Sequence, residues 1–230
     1  MKIVMRIALV GIGLFAISCA SLTPINERAM YGKANKNERQ LAADAAFISE
    51  MLAKFGSREE GSRTSSDAGW EAFNRGEYSL AMSRFNQAWL LDENNPQAYW
   101  GFGLVLLRKQ KYKQGLQMLE DASMRAPENA RLISDLAHEY SRQGKGYGTM
   151  GGAKKNRLLG EANKLFAKAC ELEPDNAKIY TNWAISRFYH RDYQDAWRKV
   201  TKVRALGEGR SLPRGFIKSL NSKWPDPLGD

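Results

Sequence analysis

The chain has 230 residues, 43% apolar and 26% charged, which suffices for one compact domain or a short repeat array and not for two large domains. With 20 Gly, 7 Pro and 2 Cys, the collagen-like, disordered and disulfide-scaffold classes are excluded. The 35 Lys and Arg exceed the 25 Asp and Glu to give a net charge of +10, and 2 His leave little material for His-based metal or triad chemistry.

Lys2 and Arg6 introduce an uncharged apolar run from Ile7 to Ile17. It is shorter than the roughly twenty residues a spanning helix needs, and it suits the apolar core of a secretory signal. The run closes on Ala16-Ile17-Ser18-Cys19. This resembles a bacterial lipobox, with Ala16 where Leu is commoner. The resemblance implies a signal peptide over residues 1–18, lipidation (palmitate) of Cys19, and an outer-membrane lipoprotein facing the periplasm, because Ala20 does not retain a lipoprotein at the inner membrane. Several acyl chains, at about 0.8 kcal/mol per buried methylene, would anchor a soluble domain firmly. The alternative is ordinary cleavage after Ala20 and a soluble, secreted product. Residues 19–36 are expected as a tether. Residues 37–61 then form an N-terminal helix and linker, with Leu41, Ala45, Ile48, Leu52 and Phe55 at helical spacing and Gly56 as the stop.

Four columns of residues recur from there on. Gly69, Gly103, Ala137 and Ala184 form the first; Ala81, Gly115, Ala162 and Ala196 the second. Phe85, Leu119, Phe166 and Val200 form the third, and Ala88, Ala122, Ala169 and Val203 the fourth. The spacing is 34 residues except across one longer interval of 47. Tyr78, Tyr112 and Tyr193 are expected to mark turns inside units, and Pro127 and Pro174 end two units because proline cannot continue a helix.

The pattern resembles the tetratricopeptide repeat (TPR) family, most clearly in Tyr99, Gly103, Tyr112, Gly115, Leu119, Ala122 and Pro127. The resemblance implies an all-α solenoid of helical hairpins over residues 62–207, with about four repeats and flanking helices. The third repeat carries a 13-residue insertion between Gly144 and Ala162, whose glycine-rich part reads as a loop and whose Lys154–Leu159 part lengthens the second helix. Glu93 stands where the first unit should have proline. Residues 208–230 are expected as a C-terminal cap and tail, with a short helix over Leu212–Leu220 and an extended end after Trp224.

Catalytic chemistry finds no support. Gly146 to Gly151 matches G-x-G-x-x-G, but no strand precedes it and no Gly-Lys-Ser/Thr follows, so it reads as a flexible loop. Lys145, Lys154 and Lys155 beside it form at most a weak anion site. His138 and His190 are not placed beside any Ser or Cys, and the carboxylate pairs Glu59-Glu60, Asp92-Glu93 and Glu120-Asp121 read as solvated charge. No Cys/His cluster has metal spacing, and Cys170 reads as a small core residue. No enzyme activity, cofactor or metal is expected.

The resemblance places the first helix of each unit on a concave groove that binds protein partners. By column, the groove residues are Arg63, Ser66, Trp70, Phe73 and Asn74, then Gln97, Trp100, Leu104, Leu107 and Arg108. Arg131, Ser134, Asp135, His138, Ser141 and Arg142 follow, then Lys178, Thr181, Asn182, Ile185, Phe188 and Tyr189. Aromatics and Arg are the residue types that dominate binding hot spots. Ser66 and Trp70 stand where the carboxylate-clamp members of the family need Lys and Asn. Residues 177–230 carry eleven Lys and Arg against five Asp and Glu, and Arg198, Lys199, Lys202, Arg204, Arg210 and Arg214 form a basic patch there. The expected function is a lipid-anchored periplasmic scaffold that binds envelope proteins, resembling lipoproteins that assist pilus or secretin assembly or dock murein hydrolases. The alternative is a protein that binds an envelope polymer or anionic lipid through the basic patch and the glycine-rich loop. Nucleic acid is not expected as a partner.

Overall fold

The computed structural model describes residues 23–146 and 152–229; the expected signal, Cys19 and residues 147–151 of the glycine-rich stretch lie outside the described residues. Helix α1 (Glu38–Phe55) begins on a reciprocal capping box between Asn37 and Gln40 and stops at Gly56, whose φ of 77° is left-handed. Hairpins follow in strict order. Helix α2 (Arg58–Asn74) pairs with α3 (Tyr78–Leu91), α4 (Pro96–Arg108) with α5 (Tyr112–Arg125), α6 (Ala130–Gly146) with α7 (Gly152–Leu172), and α8 (Ala177–Tyr189) with α9 (Tyr193–Ala205).

The same local chemistry recurs at the helix ends. Asn95, Asn129 and Asn176 start α4, α6 and α8, each side-chain oxygen accepting from a first-turn N–H two or three residues on. The turns inside hairpins use left-handed backbone at Gly76, Gln110 and Arg191, and the next N–H reaches back to Ala72, Leu106 and Arg187 respectively. Tyr78, Tyr112 and Tyr193 are not in these turns: each is the first residue of the second helix.

All sixteen residues of the four repeat columns are buried. The glycines among them are there because aromatic and branched side chains occupy the space a Cβ would need. A Cβ on Gly69 would lie 2.6 Å from Phe85 Cε1, and one on Gly101 would lie 2.3 Å from the same ring. Phe85 is therefore held between its own hairpin and the next. Gly103 and Gly115 repeat the arrangement one unit on, against Leu119 and Leu107 and against each other's carbonyl. Helix α7 has 21 residues where α3 and α5 have 14, and its added turns dock Leu159 over Gly144.

Both flanking segments pack on the array. Residues 24–33 make two short 3-10 turns, Ile25–Glu27 and Ala29–Lys33, that pack on α3. Fully buried Asn86 binds them: its Nδ2 donates to the carbonyls of Asn26 (2.9 Å) and Arg28 (2.8 Å), and its Oδ1 accepts from the Tyr31 N–H (3.2 Å). These bonds hold left-handed backbone at Met30, Tyr31 and Lys33, which side chains with a Cβ disfavour. At the other end, α10 (Arg214–Lys223) and the residue pair before it cover Trp197, Val200 and Val203 of α9 with Leu212, Phe216, Ile217 and Leu220. The tail after it folds back, with Trp197 Nε1 donating to the Trp224 carbonyl (2.9 Å) and Arg204 donating to Asp226 (2.8 Å).

The glycine packing gives a direct test. Gly101→Ala should destabilise the fold by about 1–3 kcal/mol, because a rigid ring must move to admit one methyl group. Gly160→Ala, in α7 with open space around its Cα, should stabilise it by about 0.5–1 kcal/mol through helix propensity. Urea denaturation of the two variants checks the contrast; similar effects would mean that Phe85 does not set the helix spacing.

Candidate functional site

Helices α2, α4, α6 and α8 line a concave groove that runs along the array. It holds three adjoining cavities of about 790, 440 and 960 Å³. Trp70, Phe73, Asn74, Trp100 and Arg131 line the first; Arg108, His138, Arg142, Lys178 and Asn182 line the second. The third reaches from Trp100 past Lys178 to Pro213. Asp135 lines all three.

Packing fixes the aromatic part. Trp70 and Trp100 neighbour the two glycines that clamp Phe85, and their rings meet edge to face at 4.8 Å. Trp70 also contacts Phe73 at 5.9 Å and donates its indole N–H to Gln97 (2.9 Å). The Trp100 indole donates to Asp135 Oδ2 at 2.9 Å. Arg108 extends along the Phe73 ring at 5.8 Å.

Charge is arranged unevenly along this surface. Burial pushes the Asp135 carboxyl up to about 6, against the opposing pull of the Trp100 hydrogen bond and of Lys178 and Arg108. Burial also lowers the pKa of His138, whose Nδ1 is enclosed without a hydrogen-bond partner among the described residues. Arg142 is steered by a two-pronged bond to buried Glu139 (2.6 and 2.7 Å) and lies 3.9 Å over the Tyr112 ring. Arg131 faces Glu173 across the groove at 3.6 Å. Lys178 and Arg108 stay exposed, without an ion-pair partner among the described residues.

Six of the expected groove residues line none of the three cavities, among them buried Ser66 and Ser141, and Ile185. Arg63 is outside these cavities and pairs with Glu60 (2.6 Å) on its own helix. Phe188 turns into the cluster that caps the array, against Tyr193 at 5.7 Å and Phe216 at 5.8 Å, and Tyr189 sits beside it. The α10 cap supplies the apolar partners that draw Phe188 away. Asn182 lines the groove but is buried there, donating to Ser134 (3.2 Å). Glu128 and Glu173 line it too, and neither was marked by column position.

The basic patch divides in two. Buried Asp195 accepts from Arg187, Arg198 (3.1 Å) and Lys199 (3.5 Å), so the cations of the first part of α9 are paired within the fold. Lys199 also lies 3.7 Å over the Trp183 ring, and Lys202 faces Asp175 at 3.8 Å. Arg204 is held by Asp226 (2.8 Å). Arg210 and Arg214 have no ion-pair partner among the described residues. Half-buried Cys170 packs against the buried cluster that includes Ala162, Phe166 and Ala169, and burial pushes its thiol up. His190 is pushed down to about 4 by burial and by Arg187, and its Nε2 is enclosed without a hydrogen-bond partner among the described residues. Among the described residues no group of three or more His, Cys, Asp or Glu could hold a metal, and no helix is long and apolar enough to cross a membrane.

No family model matches the chain, and neither does any curated protein. Solved structures do. A thermophilic TPR protein of Thermus thermophilus is similar over 73% of this chain and 93% of its own, at 15% identity and a TM-score of 0.56. A crystal structure of MamA protein aligns over 76% of this chain and 88% of its own, at 14% identity and a TM-score of 0.50. At such identity the likeness concerns the fold alone. The chain has a TPR-like, all-α helical-repeat fold.

Asp135 makes the groove pH-sensitive. The folded state holds its proton more tightly than the unfolded chain, whose carboxyl titrates near 4, so folding loses stability as pH rises from about 4 to about 6. Asp135→Asn keeps an acceptor for Trp100 and removes that loss. It should raise the melting temperature by about 2–6 °C at pH 7.5 and leave it unchanged near pH 4. Thermal melts across this range check it; an offset independent of pH would show that Asp135 ionises freely.

Proposed function

We propose that the chain is a lipid-anchored adaptor of the bacterial envelope, fixed to the outer membrane through Cys19 and holding a protein partner in its groove on the periplasmic side. On this reading its four hairpins are four TPR repeats, the third carrying the insertion, and it has no catalysis of its own. The observation that carries the reading is the continuity of the groove. One aromatic wall of Trp70, Phe73 and Trp100 runs into the exposed cations Arg108 and Lys178 without a break. Such a surface suits an extended or helical segment that presents an apolar side chain followed by acidic groups. The lipobox-like Ala16-Ile17-Ser18-Cys19 supports the anchor. The partner's role is proposed as assembly or regulation of an envelope complex.

Crosslinking in cells, followed by identification of the captured protein, tests the groove. Arg108→Ala with Lys178→Ala should reduce capture about tenfold or more while circular dichroism stays unchanged, since each exposed hot-spot cation contributes about 1–2 kcal/mol. Undiminished capture would exclude the groove. Cys19→Ser should abolish acyl labelling and release the protein from membranes; persistent labelling would exclude the anchor.

A further inference from the structure

We propose a second binding site, for a phosphate group, in the cavity between α9 and α10 at the C-terminal end of the array. It is independent of the groove reading, because it shares no lining residue with any of the three groove cavities, although the third reaches the loop before α10. The cavity measures about 600 Å³, within the range of small-molecule sites. Trp197, Leu212 and Ile217 form its apolar part. Arg204, Arg210, Arg214 and Lys218 line the same space, with Asp226 as the one acidic residue among the lining residues.

The pairing pattern sets this cluster apart from the rest of the basic surface. On α9, Arg198, Lys199 and Lys202 each have an intramolecular carboxylate. Arg210, Arg214 and Lys218 have none among the described residues, although all three converge on one cavity. Arg204 is positioned for them. Its Nη2 is fixed by Asp226, its guanidinium lies 5.5 Å over the Trp197 ring, and its Nη1 is enclosed with no hydrogen-bond partner among the described residues. Asp226 is itself held in its anionic form. Burial pushes its carboxyl up, but hydrogen bonds from Arg204 and the Leu228 N–H outweigh this and leave it below the usual range.

The geometry calls for a ligand with several acceptor oxygens and more than one negative charge. Guanidinium forks match phosphate oxygens in pairs, and Lys218 adds a mobile point charge. Helix α10 points the same way. Its first five residues contribute Arg214, Ile217 and Lys218 to the cavity, and its N-cap, Pro213, makes no side-chain hydrogen bond to the first N–H groups. A phosphate could come free in solution or on a lipid head group.

Two measurements on the full chain test the site and separate the sources. Isothermal titration uses inorganic phosphate, and co-sedimentation compares phosphatidylglycerol with phosphatidylcholine vesicles, only the excess on the anionic vesicles being counted. Arg214→Gln with Lys218→Gln should weaken the interaction about tenfold or more, while Arg198→Gln, outside the cavity and already paired with Asp195, should change it less than about twofold. Saturable binding of inorganic phosphate with this dependence assigns a soluble phosphate. Binding confined to anionic vesicles with the same dependence assigns a lipid head group. Absence of both kinds of binding, or an equal loss in Arg198→Gln, overturns the site.

Discussion

One ring sets the spacing on which the groove depends. Phe85 sits in the second helix of its hairpin, and Gly69 and Gly101 press on it from α2 and α4. Removing both Cβ atoms lets three helices approach closely around a single aromatic side chain. The residues next to those glycines are Trp70 and Trp100, so the contact that closes the core also fixes how far apart the two indoles stand on the concave side. A core this tightly defined transmits displacement rather than absorbing it. The aromatic wall of the groove is therefore a property of the packing behind it and not of the surface residues alone.

Two carboxylates show how the same residue type serves opposite ends. Asp195 is buried under three cations and pairs with all of them, which holds Arg and Lys of α8 and α9 against the fold. Asp135 is met by one indole N–H, with cations only at longer range, and its charge remains poorly compensated in the groove. Burial of charge is tolerated only where partners supply what water would have supplied. The well-satisfied carboxylate lies in the last hairpin, and the under-satisfied one lines the groove.

Much of this architecture was legible in the residue columns, because small and large apolar residues recurring at 34 and 47 positions must face one another across every hairpin. Helix α1 was legible from Asn37, the apolar spacing and Gly56. A further column, Asn95, Asn129 and Asn176, repeats with the same spacing and marks helix starts; it was readable and went unread. The site was less legible. Column position placed Phe188 on the groove, but the side chain follows its apolar neighbours in α10, which no repeat predicts. Net charge located a basic end, whereas its division depends in part on Asp226, which reaches Arg204 across 22 residues; the pairs of Asp195 with Arg198 and Lys199 are one-turn spacings within α9. The docking of residues 24–33 rests on Asn86, a polar residue at a core position, and carries no periodic signal.

That docking has a consequence for the order in which the molecule assembles. Helical hairpins close over short stretches of chain, and contacts of that kind form early and independently. Asn86 instead reaches back 55 to 60 residues, and the ion pair of Lys109 with Glu27 spans 82. Closing a loop of that length costs on the order of 3–4 kcal/mol of chain entropy before any contact compensates it. The first described segment to leave the ribosome must therefore wait for α3 and the end of α4 before it finds its seat, and it is locked only after the hairpins it rests on.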